Sequence, residues 1–196
     1  MKYTFNEWRD NYDSISYNNQ KDYYNELEKL YPHQAHYDLD FALQVFDYVK
    51  PQHITEAGGW KGDLANIILA KNSDIISWKN IEICEEAINN TKCNDARFTN
   101  YIPASFDWFD ANLYNGLFLS THFIEHISNA DFDKLADSLK NVEYIYLESP
   151  LENTDTIWTD YFGTHILGYG WDNIKQKLSS HSVILENNYC KLFHKI

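Results

Sequence analysis

The sequence predicts an α/β fold in which a mostly parallel, seven-stranded sheet carries helices on both faces and ends in an antiparallel β-hairpin. Strand-like and helix-like segments alternate from residue 53 to residue 149, as in parallel sheets with right-handed crossover helices. The last two strand-like segments are separated by almost nothing around Asn187-Asn188, so they can pair only as antiparallel neighbours. A length of 196 residues suits one domain with a substantial core.

The hydrophobic pattern predicts the elements one by one. Runs of apolar, β-branched and aromatic residues predict strands over residues 53–57, 74–83, 96–101, 115–121, 142–149, 182–187 and 188–195. Apolar residues at helical spacing predict helices over residues 20–31, 36–49, 61–72, 84–92, 130–141 and 171–180. Four single prolines fall between these segments, where chain breaks are expected: Pro32, Pro51, Pro103 and Pro150. We divide the chain into an N-terminal helical extension, residues 1–35, and a fold domain, residues 36–196.

Composition excludes several classes of protein. Acidic residues outnumber basic ones by 29 to 16, which gives a net charge of −13. Such a surface repels phosphate backbones and anionic lipids, so we expect neither broad nucleic-acid binding nor membrane binding. No apolar stretch is long enough to span a bilayer, and the N-terminus lacks the apolar core of a signal peptide. The three cysteines have no metal or disulfide spacing, which predicts reduced thiols in a cytoplasmic protein.

The first predicted strand leads into a glycine turn, EAGGWKG, at residues 56–62. In doubly wound sheets, ligands bind beyond the carboxyl ends of the strands, where glycine lets a ligand approach the backbone. The next helix offers free N–H groups to a carboxylate or phosphate. Glu82 ends the second predicted strand, where a carboxylate suits a ribose diol. The turn alone often only connects two elements, but the turn and Glu82 together predict a nucleoside site.

A second motif follows the fourth predicted strand: His122, Glu125 and His126 have the spacing H-x-x-E-H. This spacing is a signature of one group of metallopeptidases, and two histidines four residues apart share a helical face. The remaining ligands of a zinc site are not evident, however, and a zinc site would leave the glycine turn and Glu82 without a purpose. We therefore predict no metal site, and interpret these residues either as lining a cleft or as bracing the loop.

In order and spacing, these motifs resemble those of class I S-adenosylmethionine-dependent methyltransferases, whose fold is Rossmann-like. The first motif of that family, acidic–x–Gly–x–Gly–x–Gly, is matched by Glu56, Gly58 and Gly62, while Trp60 replaces the middle glycine. The ribose-binding acid of the family matches Glu82, and its segment hhLEH after the fourth strand matches residues 123–126. The resemblance covers residues 36–196 and includes the terminal hairpin.

The resemblance implies S-adenosylmethionine as the methyl donor. Gly58, Gly59 and Trp60 would pass beneath the methionine part of the donor, with Glu56 near its ammonium group. Glu82 would hold the ribose hydroxyls, and the adenine would lie beside Ile83 and the loop after the third strand. The implied donor-binding residues are Glu56, Ala57, Gly58, Gly59, Trp60, Gly62, Glu82, Ile83, Ser105, Phe106, Asp107 and Thr121.

Methyl transfer also needs an aligned acceptor and often a base, for which histidine is suited near neutral pH. His165 lies in an aromatic segment after the fifth strand, where the family usually builds its acceptor pocket, so it is the first candidate base. His126 and His122 are further candidates. Because no separate substrate domain is evident, we predict a small-molecule or glycan-like acceptor, with the oligomeric state left open.

Two other interpretations remain open. A non-catalytic binding or assembly protein of the same fold is favoured by Trp60 in the glycine motif. A different enzyme class is the second alternative, either a zinc hydrolase built on H-x-x-E-H or a nicotinamide-dependent oxidoreductase. The oxidoreductase would need G-x-G-x-x-G, which the segment GGWKGD does not supply.

Overall fold

The computed structural model describes residues 17–30, 32, 36–103, 110–154 and 165–196. Among these residues, the helices are α1 (Tyr17–Leu30), α2 (Leu39–Val49), α3 (Asp63–Lys71), α4 (Glu85–Asn89), α5 (Asn129–Leu139) and α6 (Trp171–Lys177). The strands are β1 (His53–Ala57), β2 (Ser77–Ile81), β3 (Phe98–Tyr101), β4 (Leu117–Thr121), β5 (Tyr144–Glu148), β6 (His181–Glu186) and β7 (Cys190–Lys195). Two short 3-10 turns cover Ala111–Leu113 and Ile124–His126.

The seven strands form one sheet in the order β3-β2-β1-β4-β5-β7-β6. The pairs β1–β2, β1–β4, β2–β3 and β4–β5 are parallel. Strand β7 lies between β5 and β6 and is antiparallel to both. The predicted parallel sheet with a terminal hairpin is therefore confirmed, and the strand order reverses at β1, where β2 lies on one side and β4 on the other.

Two hydrophobic clusters cover the two faces of the sheet. Successive residues of β4 alternate between them, because strand side chains point to opposite faces: Phe118 joins the cluster of α5 and α6, whereas Leu117 and Leu119 join that of α2 and α3. All three cysteines are buried as free thiols. Within the described part of the chain, no helix combines the length and hydrophobicity required to cross a membrane.

Most elements are shorter than the hydrophobic pattern predicts. Helix α2 begins at Leu39 instead of residue 36, because the Asp38 side chain accepts a hydrogen bond from the Phe41 N–H at 3.0 Å and caps the helix. Helix α3 begins only at Asp63, after Gly62 in the left-handed conformation. The segment after β4 forms a single 3-10 turn, so His122 and His126 do not share a helical face as the H-x-x-E-H pattern suggested.

Candidate active site

The glycine turn lies between β1 and α3 and has a left-handed backbone at three positions. Gly58, Trp60 and Gly62 have φ angles of 71°, 52° and 73°. A Cβ atom added at Gly58 would lie 2.7 Å from the Phe123 Cβ, and one added at Gly59 would lie 2.3 Å from the Glu56 Oε2. Glycine is therefore required at Gly58, whereas a side chain at Gly59 would displace the carboxylate of Glu56. Trp60 takes the conformation that the family's middle glycine would favour, at a cost on the order of 1 kcal/mol.

Two side chains at the end of β2 hold this turn. The Gly59 N–H donates to the Asn80 Oδ1 at 3.0 Å, and the Asn80 Nδ2 donates to the Trp60 carbonyl at 3.3 Å. The Trp60 N–H donates to the Glu82 Oε2 at 3.0 Å. Asn80 and Glu82 are two residues apart, so an extended backbone directs both towards the same turn. Together they brace the backbone from Gly59 to Trp60.

The Glu82 carboxylate retains the capacity to bind hydroxyl groups. Its Oε1 accepts the Cys84 N–H at 2.8 Å while its Oε2 accepts the Trp60 N–H. An ionised carboxylate offers about four lone-pair sites, so these N–H groups do not exhaust its capacity to accept a hydroxyl of the ribose implied by the family. Burial raises the pKa of Glu82 to about 7, although the N–H groups of Cys84, Trp60 and Ile83 oppose that shift.

The start of α3 is suited to the anionic end of a donor. Gly62 caps the helix without a side-chain hydrogen bond, so no side chain at the cap satisfies the first N–H groups of the helix. Such groups favour a carboxylate or phosphate. Together with Glu82, this helix start gives the crevice one site for hydroxyls and one for an anion. The residues present therefore fit S-adenosylmethionine, which carries a ribose and a carboxylate.

Glu56 lies beneath the turn and supports it. Its side chain is 1% exposed, and its Oε2 accepts the Trp78 Nε1–H at 2.8 Å. Burial raises the pKa of Glu56 to about 8; the bond from Trp78 opposes the shift, and the nearby carboxylate of Glu82 adds to it. The role implied for Glu56 near the donor ammonium group stays a prediction.

The other implied donor contacts differ in how they are placed. Ala57 and Ile83 pack in the core cluster with only 4% and 5% exposure, so a donor would meet mainly their backbone. Thr121 ends β4 and is partly exposed opposite Glu148 of β5. The predicted adenine contacts Ser105, Phe106 and Asp107 lie outside the described residues.

Helix α1 crosses the carboxyl edge of the sheet, where the crevice opens. Asn25 Oδ1 accepts the Glu86 N–H at 2.9 Å, beyond β2. Glu28 forms a 2.5 Å ion pair with Lys61, which lies in the glycine turn beyond β1. The Tyr24 ring contacts the His126 ring, beyond β4, with 6.4 Å between centroids. The helix thus contacts the segments that follow three neighbouring strands.

A second polar cluster lies beyond β4 and β5. Glu125 is 1% exposed, and its two carboxylate oxygens contact the His122 Nδ1 at 3.1 Å and the Ser149 Oγ at 2.8 Å. The His122 Nε2 lies 3.6 Å from the Glu148 Oε1, and the His122 N–H donates to the Glu148 carbonyl at 2.8 Å. Tyr146 donates its hydroxyl to the Glu148 Oε2 at 2.7 Å.

This arrangement gives His122 a different role from the one predicted. Burial lowers the pKa of His122, but its hydrogen bonds to Glu125 and Glu148 outweigh burial and raise the pKa to about 9. A protonated imidazole has no lone pair left to accept a proton. His122 is therefore suited to orienting Glu125 and not to acting as a base at neutral pH.

The other two candidate bases, His126 and His165, lie in contact with each other. The rings of His126 and His165 lie 4.9 Å apart between centroids, at 68° to one another. Glu125, His126 and His165 each bring one potential metal-ligating atom to within 4.8 Å of the other two. The structure thus adds His165, from a distant part of the chain, to two residues of H-x-x-E-H.

Sequence reasoning missed two site residues, Asn80 and Glu148, and did not single out Tyr24. The signal for Asn80 was present, because it is a polar residue two positions before Glu82 and therefore on the same face of the strand. Glu148 is the second-last residue of the fifth predicted strand, as Glu82 is of the second. Tyr24 had no distinguishing signal among the many N-terminal aromatic residues.

Comparisons with known proteins support the fold through structure alone. No family model matches the chain, and no curated protein matches it. A methyltransferase described as SAM-dependent from Anabaena variabilis is 9% identical with a TM-score of 0.67, and the match covers 92% of this chain and 95% of that one. Human N-acetylserotonin methyltransferase in complex with SAM is 13% identical with a TM-score of 0.62, covering 92% of this chain and 56% of that one.

A third similar structure is the small RNA methyltransferase HEN1, which is 13% identical with a TM-score of 0.63. The match covers 84% of this chain and 27% of that chain. All three share the fold that the sequence motifs predicted. At these low sequence identities, the similarity supports the fold alone. The chain has the Rossmann-like fold of class I S-adenosylmethionine-dependent methyltransferases.

Proposed function

We propose that the chain is an S-adenosylmethionine-dependent methyltransferase that acts on a small-molecule or glycan-like acceptor. The observation that carries this proposal is the glycine turn braced by Asn80 and Glu82 at the carboxyl edge of the sheet. The turn keeps a glycine-like backbone even at Trp60, the residue that favoured a non-catalytic protein. The crevice therefore retains what donor binding requires of the backbone.

The acceptor end of the crevice is supplied by residues beyond β4 and β5. His126 and His165 are both half-buried, so each combines contact with the protein and access from outside. In the simplest mechanism one of them accepts the proton that the acceptor loses on methylation, with His165 the first candidate. The fold neighbours act on acceptors as different as acetylserotonin and small RNA, so the fold alone does not set the acceptor.

The experiment that tests this function follows S-adenosylhomocysteine formation from S-adenosylmethionine with separate panels of small hydroxyl, amine and carboxylate compounds and of oligosaccharides. We expect turnover with at least one panel, at a rate dependent on acceptor concentration. Production of S-adenosylhomocysteine by none of the panels, from protein that binds the donor, would contradict the proposed acceptor class. Failure to bind the donor would contradict the proposed function itself.

His165→Ala separates an acceptor role from a structural one. If His165 acts on the acceptor, turnover should fall far more than donor affinity does. His194→Ala is the matched control, because His194 is also half-buried but stacks on Tyr144, the first residue of β5, at the opposite end of that strand. Equal losses of turnover and donor affinity in His165→Ala would assign His165 to the support of the fold.

A further inference from the structure

Three side chains from two distant parts of the chain form a compact group at the acceptor end of the crevice. Glu125 and His126 belong to the 3-10 turn after β4, and His165 lies six residues before α6. One ligating atom from each lies within 4.8 Å of the other two. We call these three residues the His–Glu–His cluster.

Backbone hydrogen bonds hold His165 close to Glu125. The N–H groups of Ile166 and Leu167 both donate to the Glu125 carbonyl, at 2.8 Å and 3.2 Å. The Gly168 N–H donates to the Asn129 Oδ1 at 2.7 Å. The chain just after His165 is therefore attached to the residue that supplies the carboxylate, so the approach of His165 to Glu125 follows from the fold.

The carboxylate of the cluster is oriented by a second layer of side chains. The His122 ring and the Ser149 hydroxyl contact its two oxygens at 3.1 Å and 2.8 Å. His122 is itself placed by Glu148 of the neighbouring strand. Hydrogen bonding of a ligating carboxylate by outer groups is typical of metal sites, where it sets the direction of the ligand.

Burial is uneven across the cluster. Glu125 is 1% exposed, whereas both imidazoles are half-buried. An ion held there would have protein on one side and open coordination positions on the other. Three protein ligands with an open position are the arrangement of catalytic metal sites, whereas structural sites are closed by four protein ligands.

We propose that Glu125, His126 and His165 bind one divalent ion of a first-row transition metal. Two imidazole nitrogens and one carboxylate oxygen suit zinc, cobalt, manganese or iron, whereas calcium and magnesium prefer oxygen ligands alone. Bonds of about 2.1 Å place tetrahedral ligands about 3.4 Å apart, so the side chains must close slightly around the ion. This site differs from the H-x-x-E-H pattern, because His165 replaces His122 as the second imidazole.

The role of the ion rests on the proposed methyltransferase function. Its open positions would take an oxygen donor of the acceptor, such as a hydroxyl, whose proton is then lost to water more readily. The acceptor oxygen forms the new bond to the methyl carbon as the sulfur–carbon bond of the donor breaks, and the sulfur keeps the electron pair. In this form His126 and His165 act as ligands, and neither serves as the proton acceptor.

The test is a titration of the full chain, first freed of metal by a chelator, with Co²⁺ alone. The visible absorption of bound Co²⁺ and the heat of binding are measured together. We expect one ion per chain and a spectrum showing nitrogen and oxygen ligation. Because neither donor nor acceptor is present, the result is independent of the proposed function.

Variants locate the ion. His165→Ala and Glu125→Gln should each weaken Co²⁺ binding by more than about 100-fold, since changes to outer residues alone typically cost 10–100-fold. His126→Asn is a further variant in case either of these fails to fold, as judged by circular dichroism. His194→Ala, a half-buried histidine at the other end of the sheet, should bind Co²⁺ as the unchanged protein does.

Three outcomes would overturn the proposal. The first is that folded, unchanged protein does not bind Co²⁺, and the second is that His165→Ala binds Co²⁺ as tightly as the unchanged protein. The third is an equal loss in His194→Ala and in His165→Ala. If an acceptor is found, full turnover in the presence of a chelator would overturn the catalytic role of the ion and return His165 to the role of base.

Discussion

At the scale of single residues, the carboxyl group that the sequence assigned to the ribose also holds the protein backbone. Glu82 accepts the N–H groups of Trp60 and Cys84, one on each oxygen. The turn and the acid predicted to contact the ribose are thus one unit, because the turn that the resemblance places beneath the donor also holds this acid through hydrogen bonds. This coupling explains how Trp60 can occupy a position that favours glycine without loss of the turn.

The first residue-scale prediction concerns Glu82→Gln. An amide cannot accept hydrogen bonds on both sides, so donor binding should weaken by about 1.5–3 kcal/mol, the range for hydrogen bonds to a charged group. Calorimetric titration with S-adenosylhomocysteine measures the change. Glu86→Gln is the control, because Glu86 lies nearby on α4 and pairs instead with Lys29. Unchanged affinity in Glu82→Gln would remove Glu82 from the ribose role.

The second residue-scale prediction concerns the pH dependence of stability. Because burial raises the pKa of Glu56 from 4.5 to about 8, the folded state binds a proton that the unfolded state has lost between these values. Glu56 therefore contributes most to the free energy of unfolding below about pH 4.5. This contribution falls as pH rises to 8, by up to about 1.4 kcal/mol per pH unit.

Glu56→Gln should remove this loss, so its free energy of unfolding should depend less on pH between about 5 and 8 than that of the unchanged protein. Urea denaturation at several pH values measures this dependence. Glu143→Gln, which changes an exposed carboxylate, should leave the dependence as it is. An unaltered pH dependence in Glu56→Gln would show that Glu56 is ionised in the folded protein.

Residue roles were predictable only where the local pattern carried the signal. Glu82 and the glycine turn could be found because strand, turn and acid occur at fixed spacing. The H-x-x-E-H spacing did not predict the geometry of these residues, because it presumes a helix where the chain forms a 3-10 turn preceded by a left-handed His122. The meeting of His165 with Glu125 depends on backbone bonds across 40 residues, which no local pattern records.

At the scale of elements, α1 lies across the carboxyl edge of the sheet. It contacts the segments beyond β1, β2 and β4 through Glu28, Asn25 and Tyr24. The sequence predicted this helix over residues 20–31, and the structure begins it at Tyr17. These contacts place α1 where it would cover a donor bound beyond β1 and β2.

The prediction at this scale is that loosening α1 speeds donor release. Asn25→Ala removes the acceptor of the Glu86 N–H, a loss of about 1 kcal/mol. The dissociation rate of S-adenosylhomocysteine should rise, and amide exchange over residues 17–30 should quicken. Asn18→Ala is the matched control, since Asn18 is exposed on the same helix. Faster exchange with an unchanged dissociation rate would show that α1 packs on the protein without retaining the donor.

The strands and helices themselves were largely predictable, with errors at their ends. The alternation of strand-like and helix-like segments predicted the parallel strands. The short link at Asn187 predicted the antiparallel hairpin. The observed ends of the elements differ from the predicted ones, because capping depends on particular side chains, such as Asp38 before α2, more than on the apolar pattern. The insertion of β7 between β5 and β6 follows from pairing across the sheet, which the order of segments alone does not give.

At the scale of the whole molecule, one edge of the sheet carries the proposed chemistry. The donor-binding groups follow β1 and β2, and the acceptor-side groups follow β4 and β5. These four parallel strands are adjacent in the sheet, so their carboxyl ends meet at a single crevice. The division into an N-terminal extension, residues 1–35, and a fold domain, residues 36–196, stays a prediction.

The prediction for the whole chain is a thermal shift. S-adenosylhomocysteine at 100 times its dissociation constant should add about 2.7 kcal/mol to the free energy of unfolding. For a chain of this size that corresponds to a rise in Tm of roughly 5–10 °C. Oxidised nicotinamide adenine dinucleotide is the control and should give no rise, because the turn lacks the spacing that its pyrophosphate needs. A rise with the dinucleotide alone would favour the oxidoreductase interpretation.

The central claim is that the crevice binds the methyl donor. Calorimetric titration of the folded, full chain with S-adenosylmethionine and, separately, with S-adenosylhomocysteine tests it most directly. We predict that both bind one to one, with dissociation constants on the order of micromolar. Binding of neither, from protein shown to be folded, would contradict the claim and leave a protein that keeps the fold of a methyltransferase without its donor site.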